Sequence, residues 1–269
     1  MHGVAQGEVA VDAPIELDAD LERRFGGLRR LYGPRGYARL RAARVAVVGL
    51  GGVGSWAVEA LARCGVARLV LIDLDHVAES NVNRQVQATS ETLGQAKALA
   101  LAERVAGIHP GCEVVPVEAF VEPGNWPALL PEPVDVLIDA CDQVPAKAVL
   151  AAWALREGLP FVCTGAAGGK RQAQRVELGD LAETTHDPLL ARLRQRLRKE
   201  HGAARTGRIG VPCVFSRESV APPAPGCEVE GRGDGTLSCH GYGSTVTVTA
   251  TFGLVAAGHA VELLLARQA

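Results

Sequence analysis

Val45-Ala46-Val47-Val48-Gly49-Leu50-Gly51-Gly52-Val53-Gly54 is the stretch from which the fold can be read. Four small or β-branched apolar residues in a row predict a strand buried on both faces. The glycines after it permit a tight turn and a close backbone approach to a phosphate. Val53, Trp56, Ala57, Ala60 and Leu61 then recur at helical spacing, so a helix follows the loop and ends near Cys64-Gly65. Strand, glycine turn and helix in that order present free N–H groups and a positive dipole to an anion. Gly49, Gly51, Gly52 and Gly54 are therefore candidate nucleotide-binding residues.

Working outward, a second apolar run, Leu69 to Ile72, ends in Asp73, 19 residues beyond Gly54. An acidic side chain there accepts hydrogen bonds from a ribose. The alternation continues with a helix over 95–105, a strand over 113–117, and a strand over 134–138 that ends in Asp139. A helix over 146–156 and a strand over 161–163 follow. Strands alternating with helices predict the α/β class: a doubly wound, mostly parallel, Rossmann-like sheet. Beyond about residue 170 the pattern loosens to a strand over 172–177, a helix over 189–199 and a Pro/Gly-rich loop over 221–235. An irregular C-terminal extension is expected there.

Residues 1–20 are acidic, contain Gly and Ala, and lack the basic-then-apolar pattern of a signal peptide, so they read as a flexible tail. Residues 21–269 read as a single domain, with a nucleotide-binding core over 21–170 and an extension over 171–269. The apolar segment Tyr242 to Leu265 is long enough to cross a membrane. It carries Ser, several Thr, His259 and Glu262, which favours a buried strand or helix over stable membrane insertion.

Composition narrows the function. Apolar residues make up 48% of the 269-residue chain, enough for a sizeable core. A net charge of -2 does not mark the whole chain as a nucleic-acid binder, which leaves a local basic patch to do that work. There are 7 cysteines, an odd number, and no C-x-x-C pair. That argues for reduced thiols in a cytoplasmic protein and against a four-cysteine zinc site. A basic helix with leucines at 189, 190, 193 and 197 and arginines at 192, 194, 196 and 198 is the candidate surface for nucleic-acid phosphates.

The glycine loop alone does not separate a dinucleotide from ATP. Ser80-Asn81-Val82-Asn83-Arg84-Gln85 follows Asp73 and Asp75 closely, and Lys97 lies on the next helix. Asn81, Arg84 and Lys97 suit a triphosphate whose charge must be offset while its α-phosphorus is attacked. Asp139-Ala140-Cys141-Asp142 stands at the carboxyl end of a strand, where ligands of such sheets bind. A carboxylate there, Asp139 or Asp142, could hold Mg²⁺ against the phosphates, and Asp139 could instead cap the following turn.

These blocks, with Gly94-Gln95-Ala96-Lys97, resemble the ubiquitin-activating-like, ThiF-type adenylating superfamily. A narrower resemblance rests on Arg24-Phe25-Gly26-Gly27, Arg30-Leu31-Tyr32-Gly33, Gly54-Ser55-Trp56, the run Thr164 to Gly169, Val214-Phe215-Ser216 and the run Thr247 to Gly253. It is to the tRNA threonylcarbamoyladenosine dehydratase family. The resemblance implies ATP-dependent closure of the threonylcarbamoyl side chain of a tRNA adenosine into a cyclic hydantoin, through an acyl-adenylate. It implies ATP bound by the glycine loop with Asp73, Asp75, Asn81, Arg84 and Lys97, Mg²⁺ at Asp142, and a monovalent cation (K⁺ or Na⁺). Its partners would be tRNA, a second copy of the chain and proteins of the sulfur-transfer system. Its place would be the cytoplasm, with peripheral membrane association as a variant. An arginine reaching across the homodimer is also implied; the family position aligns with Gly27 here, so Arg24 and Arg30 are the candidates. Cys239 matches a cysteine of this branch and invites a thioester, which an intramolecular ring closure does not require. The alternatives are activation of a ubiquitin-like sulfur carrier, an NAD-dependent oxidoreductase and a non-catalytic nucleotide-sensing scaffold.

Overall fold

Strands that are apolar along their whole length pair where both faces can be covered. In a computed structural model, which describes residues 19–224 and 242–266, they do so. Five parallel neighbours, β3 (Glu113–Val117), β2 (Arg68–Ile72), β1 (Arg44–Val48), β4 (Val136–Asp139) and β5 (Phe161–Thr164), stand in that spatial order. Then come β7 (Pro212–Ser216), parallel to β5, and β6 (Val176–Asp180), antiparallel at the edge. The register sets Val48 opposite both Ile72 and Asp139, so β1, β2 and β4 end flush. Strand order reverses between β1 and β4, and a crevice opens at that point.

Alternate residues of each strand face opposite layers. Val45, Val47, Leu69 and Leu71 pack under α1 (Ala19–Leu40), α2 (Gly54–Arg63), α3 (Lys97–Ile108) and α6 (Val246–Ala266). Ala46, Val48, Val70 and Ile72 face α4 (Val144–Glu157) and α5 (Pro188–Glu200). The doubly wound, mostly parallel sheet is as the sequence predicts.

Several boundaries need correction. The strand predicted over 172–177 starts later: a short 3-10 turn spans Ala173–Arg175, and β6 runs Val176–Asp180. The C-terminal part is more regular than expected, because β6 and β7 extend the same sheet and α6 covers one face of it. The basic segment from Arg23 is helix α1, kinked where Gly33 adopts φ 72 ahead of Pro34. The tail over 1–18, most of the loop over 221–235, and Cys239 lie outside the described residues.

Helix α6 is the apolar C-terminal segment. It is long and apolar enough to cross a membrane, with mean hydropathy 1.6, yet half of that window is buried within the protein. It lies directly on α2: a Cβ at Gly253 would fall 2.4 Å from the Val53 carbonyl oxygen and 2.9 Å from the Ala57 nitrogen. Both obstacles are backbone and cannot rotate away. Gly253→Ala is expected to destabilise the fold by about 1–3 kcal/mol through overpacking, measured as a lower urea midpoint with an unchanged slope.

Candidate active site

The crevice at the ends of β1 and β4 has a volume of about 860 Å³. The glycine loop forms its floor, and the loop's geometry follows from close backbone approaches. Gly49 adopts φ 85 and its N–H donates to Ile72 O at 2.9 Å, while a Cβ on it would meet the Cys141 nitrogen at 2.7 Å. At Gly54 a Cβ would lie 1.8 Å from the Gly49 carbonyl oxygen. Gly52 is closed in by Thr249 and Arg84 side chains at 3.2 and 3.3 Å, whereas Gly51 has open space before it. At its glycines the loop thus presents bare backbone to the crevice, with Val53 beside them.

Asp73 is buried beside the loop. One carboxylate oxygen accepts the Leu50 N–H at 2.6 Å and the other the Asp75 N–H at 2.8 Å. Burial pushes its carboxyl up, against the pull of Lys97 and of these two N–H groups. Each oxygen keeps a further lone pair, so a ribose hydroxyl can still be received. Asp73 therefore shapes the loop as well as facing the crevice, a task the sequence did not disclose.

Lys97 begins α3 and is nearly buried; its ammonium pairs with Asp75 at 2.7 Å. Asn81 is buried in a short 3-10 turn, where its side-chain oxygen accepts the Ala78 N–H at 3.1 Å. Arg84 also lines the crevice and donates to Ser80 O at 2.5 Å and Asn83 Oδ1 at 2.9 Å. Its own carbonyl accepts from Trp56 Nε1 at 3.0 Å and Thr249 Oγ1 at 3.4 Å. Two motifs far apart in sequence, at Trp56 on α2 and Thr249 on α6, thereby fix one arginine.

The two aspartates after β4 separate cleanly. Asp139 is fully buried and pairs with the equally buried Lys147 at 3.1 Å. Its oxygens also accept from Cys141 N at 3.2 Å and Cys141 Sγ at 2.9 Å. Burial works against the Lys147 charge, but the Asp139 carboxylate outweighs it and the ammonium is held firmly protonated. Burial likewise drives the Cys141 thiol well above its ordinary range, which leaves it inert at neutral pH. Asp142 is exposed at the crevice edge, with Gln143 Nε2 at 3.4 Å. Among the described residues no cluster of three or more His, Cys, Asp or Glu could enclose a metal. One carboxylate facing a phosphate site is nevertheless the donor set Mg²⁺ uses, since it keeps waters and takes phosphate oxygens for the rest.

Of the predicted site residues, the structure gathers Gly49, Gly51, Gly52, Asp73, Asp75, Asn81, Arg84, Lys97 and Asp142 along this crevice. Arg24 is elsewhere in its own chain. It donates to Asp20 at 2.8 Å and to Ile108 O at 3.2 Å, at the far end of α3 from Lys97. That is roughly 16 Å of helix rise from the crevice. On α5 the leucines are buried as predicted, and Arg194 is half-buried and held within its own chain: one of its nitrogens donates to Leu181 O, Thr184 O and Thr184 Oγ1 at 2.9–3.1 Å. Phe120, half-exposed on the crevice rim, had no distinguishing mark in the sequence.

Comparison with known proteins adds an independent line. The ThiF family pattern matches residues 24–269. The tRNA threonylcarbamoyladenosine dehydratase of Escherichia coli K12 is 43% identical over 255 residues, covering 92% of this chain and 95% of that protein. The crystal structure of an E. coli tRNA threonylcarbamoyladenosine dehydratase in complex with ATP superposes with a TM-score of 0.84 at 40% identity, over 94% of this chain and 98% of that one. A complex with AMP gives the same TM-score at 41% identity. The E. coli molybdopterin-synthase adenylyltransferase is 36% identical, but over only 49% of this chain and 52% of its own.

Proposed function

The chain belongs to the ThiF family, and from that premise we propose that it performs the ATP-dependent dehydration of threonylcarbamoyladenosine in tRNA to the cyclic hydantoin form. The observation that carries this reading is the extent of the match to the E. coli dehydratase. It runs through 92% of the chain, past the nucleotide half and into the substrate side from β5 to α6. The similarity to the molybdopterin-synthase adenylyltransferase covers about half of each chain. Activation of a sulfur carrier is therefore the weaker reading, and the absent C-x-x-C pairs favour the same choice.

In this reading residues 21–269 act as one adenylating unit, the core over 21–170 holding ATP and the part from 171 facing the tRNA. The threonyl carboxylate attacks the α-phosphorus and pyrophosphate leaves. The carbamoyl nitrogen then attacks the activated acyl carbon, AMP leaves, and the ring closes. The second step is intramolecular, and its effective molarity makes a protein nucleophile unnecessary; a covalent role for Cys239 is not needed. The open N–H groups of the glycine loop receive phosphate, Asp73 takes the ribose, and Arg84 and Lys97 supply positive charge where the transition state gains negative charge. Asp142 would hold Mg²⁺, which when bound neutralises the triphosphate.

A homodimer is part of this proposal, and so is a cytoplasmic location, where tRNA is found. Because Arg24 stands far from the crevice of its own chain, it serves catalysis only by reaching a partner's crevice. The surface of α5 supports tRNA contact through residues other than Arg194. Arg196 pairs with Glu200 at 2.8 Å in a partly exposed bridge, a type that contributes little and yields readily to phosphate. Arg196→Glu combined with Lys199→Glu is expected to weaken tRNA binding by about tenfold or more at low salt and to flatten its salt dependence. Unchanged affinity by filter binding would remove α5 from the interface.

The decisive test is mass spectrometry of tRNA nucleosides after incubation with the protein and ATP. Loss of one water from threonylcarbamoyladenosine, dependent on ATP and accompanied by AMP, is the expected outcome. An unmodified nucleoside, with pyrophosphate exchange appearing only on addition of a carrier protein ending in Gly-Gly, would refute it.

A further inference from the structure

Lys170 is 2% exposed, and its ammonium donates to three main-chain carbonyls: Ser216 O at 2.9 Å, Glu218 O at 3.0 Å and His186 O at 3.2 Å. All three of its donors are thereby used. Burial pulls its ammonium below the usual lysine range, and two carboxylates, Asp187 and Glu218, act against that pull from nearby. Neither is a simple ion-pair partner. Glu218 accepts the Arg171 N–H with both oxygens, at 2.9 and 3.0 Å, and the Gln172 N–H at 2.8 Å. Asp187 accepts the Ala166 N–H at 2.9 Å and caps α5 through the Leu190 N–H at 3.0 Å.

Carbonyl oxygens converging on one point, with net negative charge behind them, replace the hydration shell of an alkali cation. Here a lysine side chain delivers the positive charge instead. The place is not incidental. The carbonyls come from the entry to α5 and from the end of β7 with the residues just beyond it, and Lys170 ends the glycine-rich run after β5. Gly165, Ala166, Ala167 and Leu189, on two of these three segments, line the crevice. The ammonium is the common point that ties the wall of the crevice together.

We propose that Lys170 is a tethered substitute for a free monovalent cation, and that the chain needs neither K⁺ nor Na⁺ to hold this wall. The resemblance implies such a cation, and this cradle, the one described here, is filled by the protein's own side chain. Lys170→Ala empties it while leaving the three carbonyls and two carboxylates in place, which creates a binding site for K⁺, Na⁺ or NH₄⁺. Lys170→Met fills most of the space without charge and creates none.

Thermal unfolding in KCl, NaCl, NH₄Cl and choline chloride at equal ionic strength tests this without any substrate, so its outcome is independent of the catalytic reading. The wild type is expected to show one midpoint in all four salts. Lys170→Ala is expected to unfold lower in choline and to recover by at least about 2 °C in one of the other three, more at higher concentration. Lys170→Met is expected to be lowered equally in all four. A wild type that loses stability in choline would overturn the proposal, as would a Lys170→Ala protein indifferent to the cation. If neither variant folds in any salt, the wild-type arm decides: one midpoint supports the proposal and a fall in choline overturns it.

Discussion

An Asp142→Ala variant is expected to release AMP at least about a hundredfold more slowly than the wild type when supplied with ATP, Mg²⁺ and modified tRNA, the scale on which removing one preorganised electrostatic group slows catalysis. The residue is exposed at the crevice edge and supports no buried contact, so unfolding should not account for the loss. The control lies three residues away. Asp139 is fully buried against Lys147, and Asp139→Asn leaves that ammonium unpaired in the interior. Its expected signature is a loss of about 3–5 kcal/mol of stability, read by denaturant unfolding. Near-normal AMP release by Asp142→Ala would sink the metal assignment; near-normal stability of Asp139→Asn would sink the division of labour between the two aspartates.

The second large effect concerns the loop. Gly54→Ala sets a Cβ 1.8 Å from the Gly49 carbonyl oxygen. No side-chain rotation relieves a backbone contact that short, so the turn between β1 and α2 must open. ATP affinity is expected to fall at least about a hundredfold, because the N–H groups of the helix start no longer converge on one anion. Gly51→Ala is the contrast: nothing stands within 4 Å of its added Cβ. It should fold with wild-type stability, and a loss of ATP binding by that variant isolates close approach of phosphate to the loop. Calorimetric titration with ATP beside thermal unfolding measures both. Tight ATP binding by Gly54→Ala would overturn the loop assignment.

The central sheet was legible because parallel strands covered on both faces must be apolar throughout, and the runs at 45–48, 69–72 and 136–138 are. Helix α1 was not, since Gly26-Gly27 and Gly33-Pro34 break its pattern where it kinks. Edge strand β6 was displaced because only one of its ends is well buried and Gly179 interrupts it. The polar site residues were legible by their spacing behind the glycine loop. The buried cations were not, because a lysine letter looks the same inside or outside. For Lys147 a signal existed: it shares a helical stripe with Leu150, Ala151 and Ala154, all buried on α4. Lys170 has none, since its carbonyl partners come from segments 16 to 48 residues away. The contacts of Arg194 were hidden for the same reason, its carbonyl partners being invisible in a basic helix.

Helix α6 has a bearing on how the protein is made. Thr249 touches Gly52 and the carbonyl of Arg84, and Phe252 is wholly enclosed in the layer over β1 and β2. Translation delivers this helix after every other part of the nucleotide crevice. While it is still inside the ribosome, the glycine loop lacks the cover of Thr249, and the Arg84 carbonyl lacks one of its two donors. A nascent chain in that state has an unfinished crevice wall, so tight nucleotide capture is expected only once synthesis has passed Thr249.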